Sequence, residues 1–424
     1  MLSHIFRQAK QRLYSLLRWS EKYTKADMVY FAGGNFWLTV GRIVGTVAGI
    51  ALTVVFANFL PPETFGTYKY ILAAGGVVGA LSLSSLGGAI TRAIALGKQN
   101  VVPGVSRASF LWSIPASFGA LVVALYYFWN FNNVLGIGFL LIAITTPFLN
   151  VSGLYKSIML GKKDFRNLAF SSFRAAIPMI GLIAAILLTQ NIVIILVTYF
   201  GLNLLISWGI YVWTLRHYQI SKDSNSEDVE ETIRYGKHNS VMSAVSQTTD
   251  SLDQLILWHM AGPAQLAIYA FALAPIREIK NLFQNIFPLL FPKYVTKTVA
   301  QMKSSAPLRI VQILGASTVL VLVYIISAPF LYTLIFPQYM AAVLLSQILA
   351  IGLIFQAKGV VETMLYVQGD SRLRYITVLL TQATKVILWI VLIPLYGVMG
   401  AVLGIVIAEA FSAGILWWAY TKLR

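Results

Sequence analysis

Residues 30–58 read YFAGGNFWLTVGRIVGTVAGIALTVVFAN, and residues 59–68 follow as FLPPETFGTY. The first stretch is long enough to cross a hydrocarbon core of roughly 30 Å as one helix. The second is a proline turn that leads into another apolar run. Arg42 is the lone charge in the first stretch. At helical spacing Asn35, Thr39, Arg42, Thr46 and Thr53 share one face. Gly41, Gly45 and Gly49 form a small-residue stripe beside it, which predicts a closely packed neighbouring helix. A guanidinium at membrane depth is costly unless it faces protein, water or a ligand. Held by carbonyls and an acid it is structural, whereas beside a wet cavity it binds an anion.

Composition agrees with this reading. The chain has 424 residues, 58% of them hydrophobic and 11% charged, with mean hydropathy +0.74. Soluble domains carry roughly 25% charged residues, so the chain is expected to be an all-α polytopic membrane protein. It has no cysteine, which excludes disulfides, thiol catalysis and Cys-ligated metals. His4, His217, His238 and His259 are scattered without metal-ligand spacing.

Outward from the first stretch, a second apolar run reaches about Ile90. Others follow at about 108–129, 135–158, 167–189, 191–215, 238–260, 265–290, 308–333, 341–366, 374–394 and 397–420. About twelve spans result, several interrupted by Pro115, Pro147, Pro178, Pro275 or Pro288, which helices in membranes tolerate. Basic residues set the orientation. With the N-terminus in the cytoplasm, the cytoplasmic loops hold nearly all Lys and Arg, and the opposite side holds Lys69 alone. The C-terminus is then also inside. The net charge of +17 is accounted for by basic loops against an anionic leaflet, with no nucleic acid involved. Residues 1–28 read as a cytoplasmic segment with an amphipathic face, suited to the surface of membrane lipids.

The longest loop, 217–237, divides the chain into two six-helix bundles, 29–216 and 238–424. The halves echo each other: 58–70 read NFLPPETFGTYKY and 259–271 read HMAGPAQLAIYAF. Both place a proline (Pro62, Pro263) six residues before a tyrosine (Tyr68, Tyr269) between the first and second spans of a half. Such repetition predicts a duplicated fold with its binding site between the repeats.

The turn ANFLPPETFGTY resembles that of the polysaccharide-transporter, O-antigen flippase-like branch of the multidrug/oligosaccharidyl-lipid/polysaccharide exporters. The stretches LGKKDFRNLA (160–169), YTLIFPQYMAAVLLSQILA (332–350), VQGDSRLRY (367–375) and IPLYGVMGAVLG (393–404) are similar to that branch as well. Leu60-Pro61 stands where many members have Leu-Gly. The resemblance implies two bundles around a central cavity that opens alternately to each side of a bacterial cytoplasmic membrane. It implies an oligosaccharide on undecaprenyl pyrophosphate as substrate and polysaccharide polymerase machinery as a partner. No cofactor is implied beyond a coupling Na+ or H+.

Membrane-embedded charges supply the candidate site. The first half holds Arg42 and Arg174, with no acid inside its spans. The second half holds Arg277, Glu278, Lys280, Lys358, Glu362, Lys385 and Glu409, with Asp250 and Asp253. A cationic cavity is expected from Arg42, Arg174, Arg277, Lys280 and Lys385, since arginine grips phosphate oxygens with a charged fork. Asn35, Thr39, Thr46, Gln247, Asn281 and Gln284 are expected as its polar lining. Asp250, Asp253 and Glu409 are candidates for a coupling ion, and Lys358 is expected to pair with Glu362 four residues on. A cation-drug exporter, a peptidoglycan lipid-precursor flippase and a membrane polysaccharide polymerase or glycosyltransferase are the rival readings. The embedded cations oppose the first. The last requires a sizeable loop bearing catalytic carboxylates, which the chain lacks.

Overall fold

Each apolar run becomes a helix, because a backbone in hydrocarbon must satisfy its own hydrogen bonds. The computed structural model describes residues 28–82, 86–220, 226–284, 294, 298–368 and 371–422. Within these, the side chains of 28–40, 42, 175, 238, 239, 282, 284, 366, 368, 371, 372 and 374 are not described. The amphipathic segment expected at 1–28 therefore lies almost wholly outside the described residues.

The first half comprises α1 (Met28–Phe59), α2 (Pro62–Ala80), α3 (Leu86–Ala95), α4 (Val101–Trp129) and α5 (Asn133–Ser152). It continues with α6 (Tyr155–Gly161), α7 (Phe165–Ala175), α8 (Ile177–Thr189) and α9 (Ile192–His217). The second half comprises α10 (Ser226–Ala261), α11 (Pro263–Gln284), α12 (Val299–Ile335) and α13 (Ala342–Ile351). After a 3-10 stretch at Gly352–Lys358 come α14 (Gly359–Gln368), α15 (Ser371–Tyr396) and α16 (Val398–Lys422).

Several spans are thus pairs of shorter helices. The second is made of α2 and α3, and the fifth breaks at Ala176, with Pro178 in the first turn of α8. Pro115, Pro147 and Pro275 lie inside continuous helices, while Pro288 is outside the described residues. Among the described residues eight helical stretches are long and apolar enough to cross a membrane, and Ile43–Phe59 and Leu86–Ala95 are shorter apolar helices. The helices α2 and the more polar α10 and α11 fall outside that set, and all three line one cavity.

Two sequence expectations change here. The loop at 217–237 is shorter than it reads, since α9 runs to His217 and α10 begins at Ser226. The acidic run that looked like linker forms the first turns of α10. The Gly41–Gly45–Gly49 stripe packs at one point only. A side chain at Gly41 would meet Ser172, whereas Gly45 and Gly49 have nothing within 4 Å.

The proline echo is structural. Pro62 opens α2 and Pro263 opens α11, and the helices pack together where they start. Gly66 allows this: a Cβ there would lie 1.8 Å from the Pro263 carbonyl oxygen. Phe65 packs against Phe271 with ring centroids 4.7 Å apart, and Phe271 against Tyr339 at 3.9 Å, both pairs tilted. The Asn58 side-chain amide donates to the Ile335 carbonyl at 3.1 Å, and Gln338 donates to the Asn58 carbonyl at 3.3 Å. By the distribution of Lys and Arg this is the extracytoplasmic end, and it is shut by a buried aromatic cluster drawn from both halves.

Candidate functional site

Inward of that aromatic plug, α2, α10, α11, α15, α16 and the 3-10 stretch enclose a cavity of about 610 Å³. The sequence explains why these elements are polar where others are not. Asp250, Asp253 and Gln254 of α10 fall on one helical face, as do Arg277, Lys280 and Asn281 of α11. Asp250, Arg277, Glu278 and Asn281 are exposed within the membrane-spanning part of the chain, so this interior is wet.

A second chamber of about 410 Å³ is formed wholly by the second half. It shares Lys280, Gln356, Lys385 and Glu409 with the first, so the two meet along one wall. A third space of about 440 Å³ is an apolar cleft between α1, α2, α11 and α12, lined by residues such as Ile50, Phe65, Leu331 and Phe336. It touches the main cavity at Lys69, Arg277 and Glu278, which line both.

Lys69 was expected on the outer side of the membrane, just after the turn. It lies instead seven residues into α2, about 10 Å along the helix axis from its start. It is within electrostatic reach of Asp253 and Arg277 across the boundary between halves. The outer connections among the described residues then contain no Lys or Arg at all, which strengthens the charge asymmetry.

The other charges pair across spans. Glu409, 5% exposed, accepts from Lys280 at 2.9 Å and from Lys358 at 2.6 Å. Lys358 also donates to Ser412 at 2.9 Å. The expected Lys358–Glu362 pair does not form. Glu409 is buried and needs cations, whereas Glu362 is exposed to water and does not. Lys385 reaches Asp250 at 3.4 Å. Asp253 is buried and accepts from the Tyr269 hydroxyl and the Gln254 backbone N–H, with no cation within 4 Å among the described residues. Lys69 and Arg277 likewise have no carboxylate within 4 Å among the described residues.

Of the residues singled out in the sequence, Arg277, Lys280, Lys385, Asn281, Asp250, Asp253 and Glu409 meet in this cavity. Arg174 is elsewhere: it is exposed on α7, with its guanidinium 5.1 Å over the Trp213 ring. Thr46 and Gln247 are exposed and line none of the three spaces. Asn35, Thr39 and Arg42 lie on α1, and Gln284 on α11, with side chains outside the described set. Lys69, Gln356 and Trp389 line the cavity without having been singled out as candidates. Counting helix residues from Pro62 would have placed Lys69 at membrane depth. Gln356 and Trp389 carry no comparable signal.

A family model described as "Polysaccharide biosynthesis protein" matches residues 31–293. A solved structure described as "Lipid II flippase MurJ, inward closed conformation" superposes with TM-score 0.65 at 11% identity, over 92% of this chain and 87% of that one. An inward-facing multidrug resistance MATE family transporter of the MOP superfamily gives TM-score 0.64 at 16% identity, over 92% and 99%. An outward-facing MATE structure gives 0.57 at 15% identity, over 92% and 95%. At these identities the likeness concerns the fold. No curated protein matches the sequence significantly.

Proposed function

The chain belongs to the polysaccharide biosynthesis protein family, and from that premise we propose that it is a flippase for an undecaprenyl-pyrophosphate-linked oligosaccharide. It carries the head group from the cytoplasmic to the outer leaflet of a bacterial cytoplasmic membrane, by alternating access and without catalysing a covalent reaction. The observation that carries this reading is the meeting of a wet, charged cavity with an apolar cleft at Lys69, Arg277 and Glu278. An amphiphile with an anionic head needs both environments side by side. A free sugar has no use for the cleft, and a cationic drug would confront Lys69 and Arg277.

Lys69 and Arg277, with no carboxylate within 4 Å among the described residues, are suited to pyrophosphate oxygens, arginine by its forked geometry and lysine as a point charge. Arg42 enters the reading through its place on α1. It is seven residues from Gly49 and eleven from Thr53, hence on the same face, and those two residues line the cleft. Coupling to a proton or sodium gradient falls to Asp253 in this reading, because lysines already engage Glu409 and Asp250. The polymerase machinery on the outer side is the recipient of the flipped lipid. The solved structure described as a lipid II flippase favours a second reading, a peptidoglycan precursor, whose head has the same phosphate chemistry.

Proteoliposomes loaded with fluorescent lipid-linked oligosaccharide test the proposal. The expected result is loss of protection from an external, head-group-directed reagent at a rate set by the amount of protein. Rates equal to those of empty liposomes would overturn it, and lipid II in a parallel preparation separates the two readings.

A further inference from the structure

We propose that the chamber within the second half is a subsite for the glycan, and that it is built for sugars without negative charge of their own. The proposal rests on the flippase reading and names the substrate class of the same site.

The chamber presents hydroxyls from Ser246, Thr377, Thr381 and Ser412 and amides from Gln356 and Gln382. Sugar hydroxyls both donate and accept, and this set does the same. One polar atom of the chamber lacks a partner: Gln382 Oε1, in its wall, is buried with no hydrogen bond among the described residues. Buried polar atoms are nearly always satisfied in folded proteins, so an orphan at the wall of a cavity is a place for a ligand.

The charges narrow the ligand further. Every cation of the chamber is already engaged: Lys280 and Lys358 by Glu409, and Lys385 by Asp250. Glu362 is exposed into the same chamber, with no cation within 4 Å among the described residues. A sugar carboxylate moved here would lose hydration, find no unengaged cation and face a like charge. Neutral hydroxyls meet none of these penalties. Lys69 and Arg277, by contrast, are not engaged in this way, and they lie at the apolar cleft, where the phosphates of a lipid-linked substrate would sit. The path is therefore sorted by charge, with cations for the carrier phosphate and a neutralised, hydroxyl-rich chamber for the sugar.

The test uses the full-length protein in proteoliposomes with two undecaprenyl-pyrophosphate trisaccharides. One is made of neutral hexoses, and the other has one hexose replaced by its uronic acid. The neutral lipid is expected to cross about tenfold faster. Glu362→Lys, at an exposed position, is expected to shift the acidic-to-neutral ratio about tenfold toward the acidic lipid. Because the ratio is read within one preparation, differences in folding or abundance cancel. Gln382→Ala should slow the neutral trisaccharide more than the corresponding monosaccharide lipid. Equal or faster transport of the acidic lipid, a ratio unmoved by Glu362→Lys, or equal slowing of both chain lengths by Gln382→Ala would overturn the subsite while leaving the flippase reading standing. Failure of every lipid to cross would overturn the flippase reading, and the subsite with it.

Discussion

Lys69 and Arg277 approach each other from opposite halves at the junction of cavity and cleft, each without a carboxylate within 4 Å among the described residues. Charge-assisted contacts of this kind contribute about 1.5–3 kcal/mol each, so Lys69→Gln is expected to lower flipping roughly 10- to 100-fold at matched protein levels. Arg42→Ala should lower it severely, and Arg42→Lys should retain part, because only the charge survives. Near-wild-type export by both Lys69→Gln and Arg42→Ala would remove the phosphate role. Glu409 poses a different residue-scale question, since two lysines converge on one buried carboxylate. Removing it leaves like charges without a counter-ion, and breaking buried pairs costs about 3–5 kcal/mol. Glu409→Ala should therefore lower the melting temperature in detergent markedly. Glu409→Ala combined with Lys358→Met should recover part of the loss, and an unchanged melting temperature in the single variant would show that the cluster is not structural.

The element that links the halves is α10. Its first turns dock on the first half, where Lys98 bridges Asp228 at 2.8 Å and Glu231 at 2.9 Å. Gly104 lies against Val229 and Gly236 against Leu86, and Arg92 sits 4.7 Å over the Tyr235 ring. Further along, the same helix supplies Asp250 and Asp253 to the cavity. The hydrogen bond from Lys98 holds the Glu231 carboxyl below its ordinary value of 4.5, and the bonds to Asp228 and Glu231 raise Lys98 above 10.5. The stabilisation from Lys98 bridging Asp228 and Glu231 is therefore fully present between those ordinary values. It fades as pH falls through the depressed Glu231 value or rises through the raised Lys98 value. Both partners are water-accessible, so salt also weakens the contact. Hydrogen exchange in residues 226–237 at neutral pH should rise with added salt and in Lys98→Glu, and fall back when Glu231→Lys is added. Exchange unaffected by Lys98→Glu would mean that apolar packing alone docks these turns.

Across the whole molecule the described conformation is closed at its outer end, where α2 and α11 touch at Gly66 and Pro263. The obstacle to a Cβ at Gly66 is backbone, which cannot swing aside as a side chain can. Gly66→Ala therefore disfavours the outer-closed state, and a bias of about 1.4 kcal/mol would change the populations tenfold. A cysteine introduced at Ala270, on the apolar cleft, should label faster from outside in the Gly66→Ala background, with transport slowed. Unchanged labelling would mean that the two helices separate without passing through this contact.

The amino-acid sequence alone was sufficient for the class and the approximate spans, and it is the source of the orientation and of the expected duplication. Each depends on properties summed along the chain: hydropathy over a span, Lys and Arg over a loop, a proline recurring at one place in each half. That several polar and charged residues of the second half share one cavity was legible too, since Arg277, Lys280 and Asn281 reach it by helical phase. Only the tertiary structure decided who pairs with whom. Lys358 bypasses Glu362, one turn away, for Glu409 on another span, because burial and not sequence distance determines which carboxylate needs a cation. Lys69 moved from the outer side to the cavity because helix length, not loop proximity, set its depth. Arg174 left the site because its face of α7 turns toward Trp213. Local patterns place a residue on a helix face, but what that face meets is settled by helices far away in the chain.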